Sequence, residues 1–282
     1  MMSLNDQRQA AEPGARYSSK LMTALNRFTG GLATEVANPL KVKYGKAYDF
    51  LISGDTHRYR EEIDTAISQY RLALEQREDF TEAYVGIAKC LRRKGDSLGA
   101  IQYLSHALSQ NGFRRELHQD IAKCYAECGY TAKSIHHYER AIKLERRSVE
   151  ARFGLALVVE MTENFDYTVR LYEQIIQLEP EFLPAYNNLG SIFMRLERYE
   201  EAEALFRTLI SKAPDFTRGH LGLAITLDKA GKRKQAIDSY QQVLRLRPTS
   251  KNAEFIEKRI VSLNAELGRV KSSKSATLVL IK

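Results

Sequence analysis

Apolar and small residues recur along most of this chain at steps of three and four, the spacing of one face of an α-helix. The stretch 183–216 shows it best. Tyr186, Leu189, Gly190 and Phe193 mark one amphipathic helix, Ala202 and Phe206 a second, and Pro214 closes the unit. The small places, Gly190 and Ala202, let two helices approach closely, while Leu189, Phe193 and Phe206 fill the space beside them. The same spacing returns at a fixed period of 34 residues on both sides. Block 217–250 carries Leu223, Ala224, Leu227, Ala236, Tyr240 and Pro248 at the same places. Block 149–182 carries Leu155, Ala156, Val159, Tyr172 and Pro180, with Thr168 where Ala is usual. Block 115–148 carries Ile121, Ala122, Tyr125, Tyr138 and Ala141, with Ser134 in the Ala place. Block 81–114 carries Tyr84, Ile87, Ala88, Leu91, Ala100, Leu104 and Ala107. The five blocks abut without an insertion.

The flanks are less regular. Segment 1–37 starts polar, then carries Leu21, Met22, Leu25, Phe28 and Leu32 at helical spacing over 18–36, interrupted by Gly30-Gly31. This predicts an amphipathic helix that caps the first repeat, with a membrane or partner surface as the alternative. Segment 38–80 reads as a degenerate first repeat. Tyr44-Gly45-Lys46-Ala47-Tyr48 supplies its first helix, and Ala66, Tyr70 and Ala73 its second. The gap between them is about nine residues too long for the frame, which predicts an extra turn or loop at Gly54-Asp55-Thr56-His57. Segment 251–268 reads as a closing helix with Phe255, Ile256, Ile260, Leu263 and Leu267, ended by Gly268. The rest, 269–282, is a basic tail with an apolar end at 277–281.

A period of 34 residues with an aromatic, Leu-Gly, aromatic, Ala, aromatic, Pro order resembles the tetratricopeptide repeat, with Tyr186 in place of the usual Trp. The resemblance covers most of the chain. It implies an all-α fold, an α-solenoid of stacked helix-turn-helix repeats forming a right-handed superhelix, with the N-terminal helix and the C-terminal capping helix at its ends. One helical pair cannot bury its apolar face alone, so neighbours must stack. Nearly every Leu, Tyr and Ala named above is therefore expected in the core.

The formal charge of +8 is unevenly placed. Residues 1–80 balance at zero, the next two blocks carry +3 and +2, block 149–182 carries −5, block 183–216 carries −1, and the last two segments carry +5 and +4. An acidic stretch between basic ones opposes one continuous track for a nucleic-acid backbone and suits a protein partner with its own charge pattern. No apolar run approaches the length of a membrane span, and the start lacks a basic region followed by an apolar one, so a cytoplasmic protein is expected. Cys90 and Cys124 fall at equivalent places and Cys128 one turn on, without Cys-x-x-Cys or zinc spacing, as free thiols of a reducing compartment. No phosphate loop, dinucleotide fingerprint or nucleophile motif occurs, so no enzyme activity, cofactor, metal or small-molecule substrate is expected. His136-His137 should face solvent, about 100° apart on one helix, and His118 and His220 should pack in aromatic places.

In the family resembled here, first helices line the concave face and a ligand peptide lies along it. The places exposed there put Lys89, Arg92 and Lys123 in the basic blocks, Phe153, Leu157 and Met161 in the acidic one, Asn187, Ser191 and Met194 in the next, and Leu221 and Ile225 in the last. The resemblance thus implies a non-catalytic scaffold or adaptor holding a peptide or helix of a partner protein. The apolar residues would anchor it, Asn187 would bond its backbone, and Lys89, Arg92 and Lys123 would receive an acidic end. The Lys and Asn clamp that binds chaperone C-termini in part of the family is not reproduced. The alternatives are self-association or autoinhibition through the tail 277–281, and, less favoured, nucleic-acid binding.

Overall fold

The computed structural model describes residues 43, 45–110, 114–249 and 252–279, with side chains described up to residue 269. The chain divides into two compact units, Met1–Gly86 and Ile87–Lys282. The first holds α1 (Lys46–Tyr59), α2 (Ile63–Gln76) and the opening turns of α3 (Thr81–Arg93). The second continues α3 and adds α4 (Ser97–Gln110), α5 (Arg115–Glu127), α6 (Thr131–Leu144), α7 (Val149–Glu160), α8 (Phe165–Leu178), α9 (Leu183–Arg195), α10 (Tyr199–Lys212), α11 (Thr217–Lys229), α12 (Arg233–Leu246) and α13 (Ala253–Val279). Among the described residues there is no strand, and within each unit consecutive helices pack on one another as stacked hairpins.

The repeat register is rigid. From α2 to α12, each second helix begins 34 residues after the previous one. The turn between the helices of a repeat carries a left-handed residue at the same spacing: Glu61, Gly95, Gly129, Glu163, Glu197 and Gly231. The following residue donates its N–H back to the carbonyl five places earlier, as in Asp96 to Leu91, Tyr130 to Tyr125, Arg198 to Phe193 and Lys232 to Leu227. This is the Schellman closure, which satisfies carbonyls a helix end would leave orphaned. In the turn of Glu163, the Thr162 hydroxyl donates to the Val159 carbonyl at 2.6 Å and does that work instead.

Four expectations are corrected. Gly54, Asp55, Thr56 and His57 lie inside α1 and form no extra loop. Gly45, at φ 52, is the residue that caps α1 and is not part of its core. The first repeat is therefore in frame: Ala47 to Phe80 is a full block abutting Thr81, and Gly54 precedes Tyr70 by the same sixteen residues as Gly190 precedes Phe206. Gly268 does not end the last helix, which runs on to Val279; Gly268 is not among the left-handed residues a terminal cap uses. His137 does not face solvent as His136 does. It is half-buried, with Nδ1 3.0 Å from Nδ1 of the buried His118 across the hairpin. The expected N-terminal helix over 18–36 and the end of the apolar tail at Leu280 and Ile281 lie outside the described residues.

The core is built from one keyed contact per layer. An aromatic on each of several second helices slides between small residues of two first helices. A Cβ added at Gly54 or at Gly86 would come 2.6 Å from the Tyr70 ring. Gly154 meets Tyr138 in the same way at 2.4 Å, and Gly190 and Gly222 meet Phe206 at 2.8 and 2.4 Å. Where Asn188 replaces that glycine, its Nδ2 instead donates to the Tyr172 hydroxyl at 3.1 Å. The buried rings Tyr70, Tyr172, Phe206 and Tyr240 are each at most 1% exposed, and burial of a ring this size is worth about 2–3 kcal/mol. The polar residues in Ala places are satisfied. Ser134 Oγ donates to the Ala122 carbonyl at 2.7 Å, and Thr168 Oγ1 to the Asn164 carbonyl at 2.9 Å. Prolines after second helices also gain a role, since the Tyr186 hydroxyl donates to the Pro180 carbonyl at 3.0 Å. A ring nitrogen of His220 stands 2.8 Å from the Pro214 carbonyl, consistent with the packing place expected for it.

Candidate functional site

The face in question belongs to the first helices of the second unit. Hairpin packing buries the side of each helix that carries Leu155, Leu189 or Leu223 and leaves the opposite side toward water. At the basic end, Lys89 and Lys123 are exposed, and Lys123 Nζ stands 3.4 Å from Asp120 Oδ1. Arg92 is engaged: its Nε donates to Glu127 Oε1 at 2.9 Å, and the other Glu127 oxygen accepts from Ser97 Oγ at 2.6 Å. Ala88, Lys89, Arg92, Leu104, Asp120 and Cys124 line a shallow depression here. Leu104 occupies the place that holds Tyr or Phe in the other repeats, so the shorter side chain leaves the dent.

Further along, Phe153 of α7 is half-buried and makes an edge contact with Phe182, ring centroids 5.1 Å apart, and a tilted one with Tyr172 at 6.1 Å. Met194 of α9 and Leu221 and Ile225 of α11 are also half-buried, packed against the core on one side and open on the other. Leu157 is half-buried, and Met161, the cap of α7, is 55% exposed. Asn187 donates to Asn188 Oδ1 at 3.2 Å, and its carbonyl accepts from Ser191 Oγ at 2.9 Å. One donor of this chain of amides, Asn188 Nδ2, is thus already committed to holding the Tyr172 hydroxyl in place.

Charged groups close the gaps between helices. Glu160 of α7 accepts from Arg195 of α9 at 3.3 Å and lies 3.5 Å from the Tyr172 hydroxyl. Burial raises the Glu160 carboxyl above its ordinary range, against the opposing pull of Arg195. The Arg195 guanidinium also lies over the Phe165 ring, 4.5 Å from its centroid. At the far end Asp228 of α11 receives both forks of Arg259 of α13, at 2.6 and 2.7 Å. Phe255 lies four residues before Arg259 on the same helix, hence on the same face, and is 60% exposed. It occupies the fifth place of its block, as do Phe153, Asn187 and Leu221. Carrying the 34-residue frame one block further would have marked it; the sequence reading had assigned it to the packing of the closing helix.

Among the described residues no group of three or more His, Cys, Asp or Glu is placed to hold a metal. Cys90 and Cys124 are buried, and burial pushes the Cys124 thiol up to about 12. No described helix is long and apolar enough to cross a membrane.

Equal hairpins in one register, keyed by an aromatic against small residues, define an α-solenoid repeat protein. Tetratricopeptide repeat family models match residues 53–113, 116–148, 161–226 and 220–254. The chain belongs to the tetratricopeptide repeat family. A comparison with curated proteins finds no match. Similar solved structures include MamA, with TM-score 0.55 and 23% identity over 62% of this chain and 94% of that one. PilF of Pseudomonas aeruginosa aligns with TM-score 0.63 and 15% identity over 77% and 99%. YrrB, described as a TPR protein with an unusual peptide-binding site, aligns with TM-score 0.55 and 14% identity over 67% and 97%. At these identities the likeness is one of fold.

Proposed function

We propose that this protein is a non-catalytic interaction scaffold that holds a peptide or helix of a partner protein along the open face of α3 to α13. The observation that carries this reading is the row of half-open apolar side chains on consecutive first helices. Phe153, Leu157, Met194, Leu221 and Ile225 are neither sunk in the core nor free of it, and the row is flanked by the exposed Met161 and Phe255. Contiguous apolar surface of this kind marks binding sites more often than inert surface. Phe153, Met194, Leu221 and Ile225 each have an inner side packed on the core, so little of their side-chain entropy remains to be lost when a ligand covers the outer side. Lys89 and Lys123 extend the face with positive charge and receive an acidic end of the ligand, while Arg92 contributes through its pair with Glu127. Asn187 and Ser191 bond the ligand backbone. The peptide-binding site named for YrrB supports the same use of this fold.

The test is affinity capture from the native cell with the wild-type chain beside Leu157→Asp/Met161→Asp. This pair is chosen over Phe153, whose contacts with Phe182 and Tyr172 would make an Asp there unfold the layer. Loss of the captured partner with unchanged melting supports the reading. Capture that survives the double substitution shows that another surface is used. Nucleic-acid binding predicts instead a steep fall of RNA affinity with salt, and the acidic block 149–182 argues against it.

A further inference from the structure

At the seams between repeats, the helix that precedes a first helix in the chain packs on one stripe of it. Tyr70 of α2 meets Gly86 of α3, Tyr138 of α6 meets Gly154 of α7, and Phe206 of α10 meets Gly222 of α11. The stripe runs through the third, sixth and tenth places of the block. In α7 it includes Ala151 and Val158, in α9 Ala185 and Ile192, in α11 Gly219 and Thr226, and all are buried. In α1 the same places hold Asp49, Ile52 and Thr56, and all three are exposed. Ile52 is 44% exposed, and Tyr59, one turn further along this stripe, is 89% exposed. The contrast with α13 is direct: Ile256 holds the place of Ile52, has a repeat in front of it, and is 0% exposed. The opening helix therefore carries a face built for a neighbour.

We infer that residues 18–36 of this same chain cover the α1 stripe and act as the leading half-repeat of the array. They are what precedes α1, as α2 precedes α3. Their apolar residues Leu21, Met22, Leu25, Phe28 and Leu32 fall at steps that make one helical face. Nineteen helical residues would span about 28 Å, enough to lie along the fourteen residues of α1. Residues 37–45 connect the two and reach up to about 30 Å when extended, well beyond the 8–10 Å between packed helix axes. Lys20 and Arg27 bring positive charge to the stripe that carries Asp49. This inference concerns the first unit alone and does not depend on the proposed binding face.

The experiment is a double-mutant cycle in the full-length chain, read by hydrogen exchange of the α1 amides. The variants are Leu25→Asp/Phe28→Asp, Ile52→Asp, and all three together. Leu25→Asp/Phe28→Asp and Ile52→Asp are each expected to speed α1 exchange about tenfold or more, which is the loss of about 1.4 kcal/mol of local protection. The triple variant should be no faster than the faster of these two. Exchange in α9 to α12 should stay at the wild-type rate, which shows that the rest of the chain is folded. Wild-type α1 exchange in Leu25→Asp/Phe28→Asp overturns the inference, and so do effects that multiply in the triple variant. A halving of solution mass in Ile52→Asp by light scattering also overturns it, because a second copy would then be the cover.

Discussion

The left-handed turn residue offers the cleanest quantitative test of the repeat geometry. Of the six turns, three place Gly there and three place Glu. Glu197, at φ 58, is exposed, and no hydrogen bond or ion pair holds its side chain. A residue with a Cβ pays about 1–2 kcal/mol in this region. Glycine avoids that strain but gives back about 0.5–1 kcal/mol of extra chain entropy. Glu197→Gly should therefore stabilise the fold by about 0.5 kcal/mol. Gly231→Ala is the mirror experiment. A Cβ at Gly231 would meet nothing within 4 Å, so only the backbone term acts. By the same balance of strain and chain entropy it should destabilise by about 0.5 kcal/mol. With a urea slope near 2 kcal/mol per molar, the midpoints should move about 0.25 M up and about 0.25 M down. Urea unfolding followed by circular dichroism reads both. Destabilisation by Glu197→Gly comparable to that of Gly231→Ala would refute the assignment of strain to this position.

Three further outcomes are expected. Gly222→Ala puts a methyl 2.4 Å from the ring of the fully buried Phe206 and should cost about 1–3 kcal/mol by overpacking, seen as a lower melting temperature. His137 is held down to about 4, chiefly by burial and then by His118, His136 and Arg140. Its unfolded value is about 6.5, so its contribution to stability is complete above that pH and is lost as pH falls toward 4. Melting should drop more between pH 7 and 5 in the wild type than in His137→Gln, and equal drops would show that the pair is not the source. Removal of Ser275 to Lys282 should lower solution mass if the tail joins two copies, and unchanged mass by light scattering removes that alternative.

The periodic part of the fold was legible because each layer makes the same demand. A ring on a second helix needs a small residue opposite, and Gly190, Ala202 and Phe206 announce that demand in the sequence. The first repeat was misread because Tyr44-Gly45 imitates a first-helix core while Gly45 serves as a cap. The reliable signal was the sixteen-residue step from Gly54 to Tyr70, which reproduces the Gly190 to Phe206 step. Gly268 was read as a stop because glycine often ends helices, yet that role needs a left-handed conformation it does not adopt here. The His118 and His137 contact was invisible since it joins the fourth place of one helix to a residue nineteen positions on, and no spacing rule marks it. At the candidate face, the sequence named the apolar row but could not show that Phe153, Met194, Leu221 and Ile225 each have one side already packed on the core. Nor could it show that Arg92 and Arg195 spend their charge on Glu127 and Glu160.

The aromatic-against-small seams have a consequence for how such a chain can evolve or be rearranged. Neighbouring blocks are matched as lock to ward: Phe206 and Tyr138 accept only glycine across the seam, Tyr172 takes an amide, and the shorter Leu104 lies beside Asp120. Shuffling the tiles would drive Phe206 into a carboxylate or leave Leu104 facing a void. The order of the blocks is therefore written into the joints between them, and duplication of one block succeeds only if its facing residue is copied along with it.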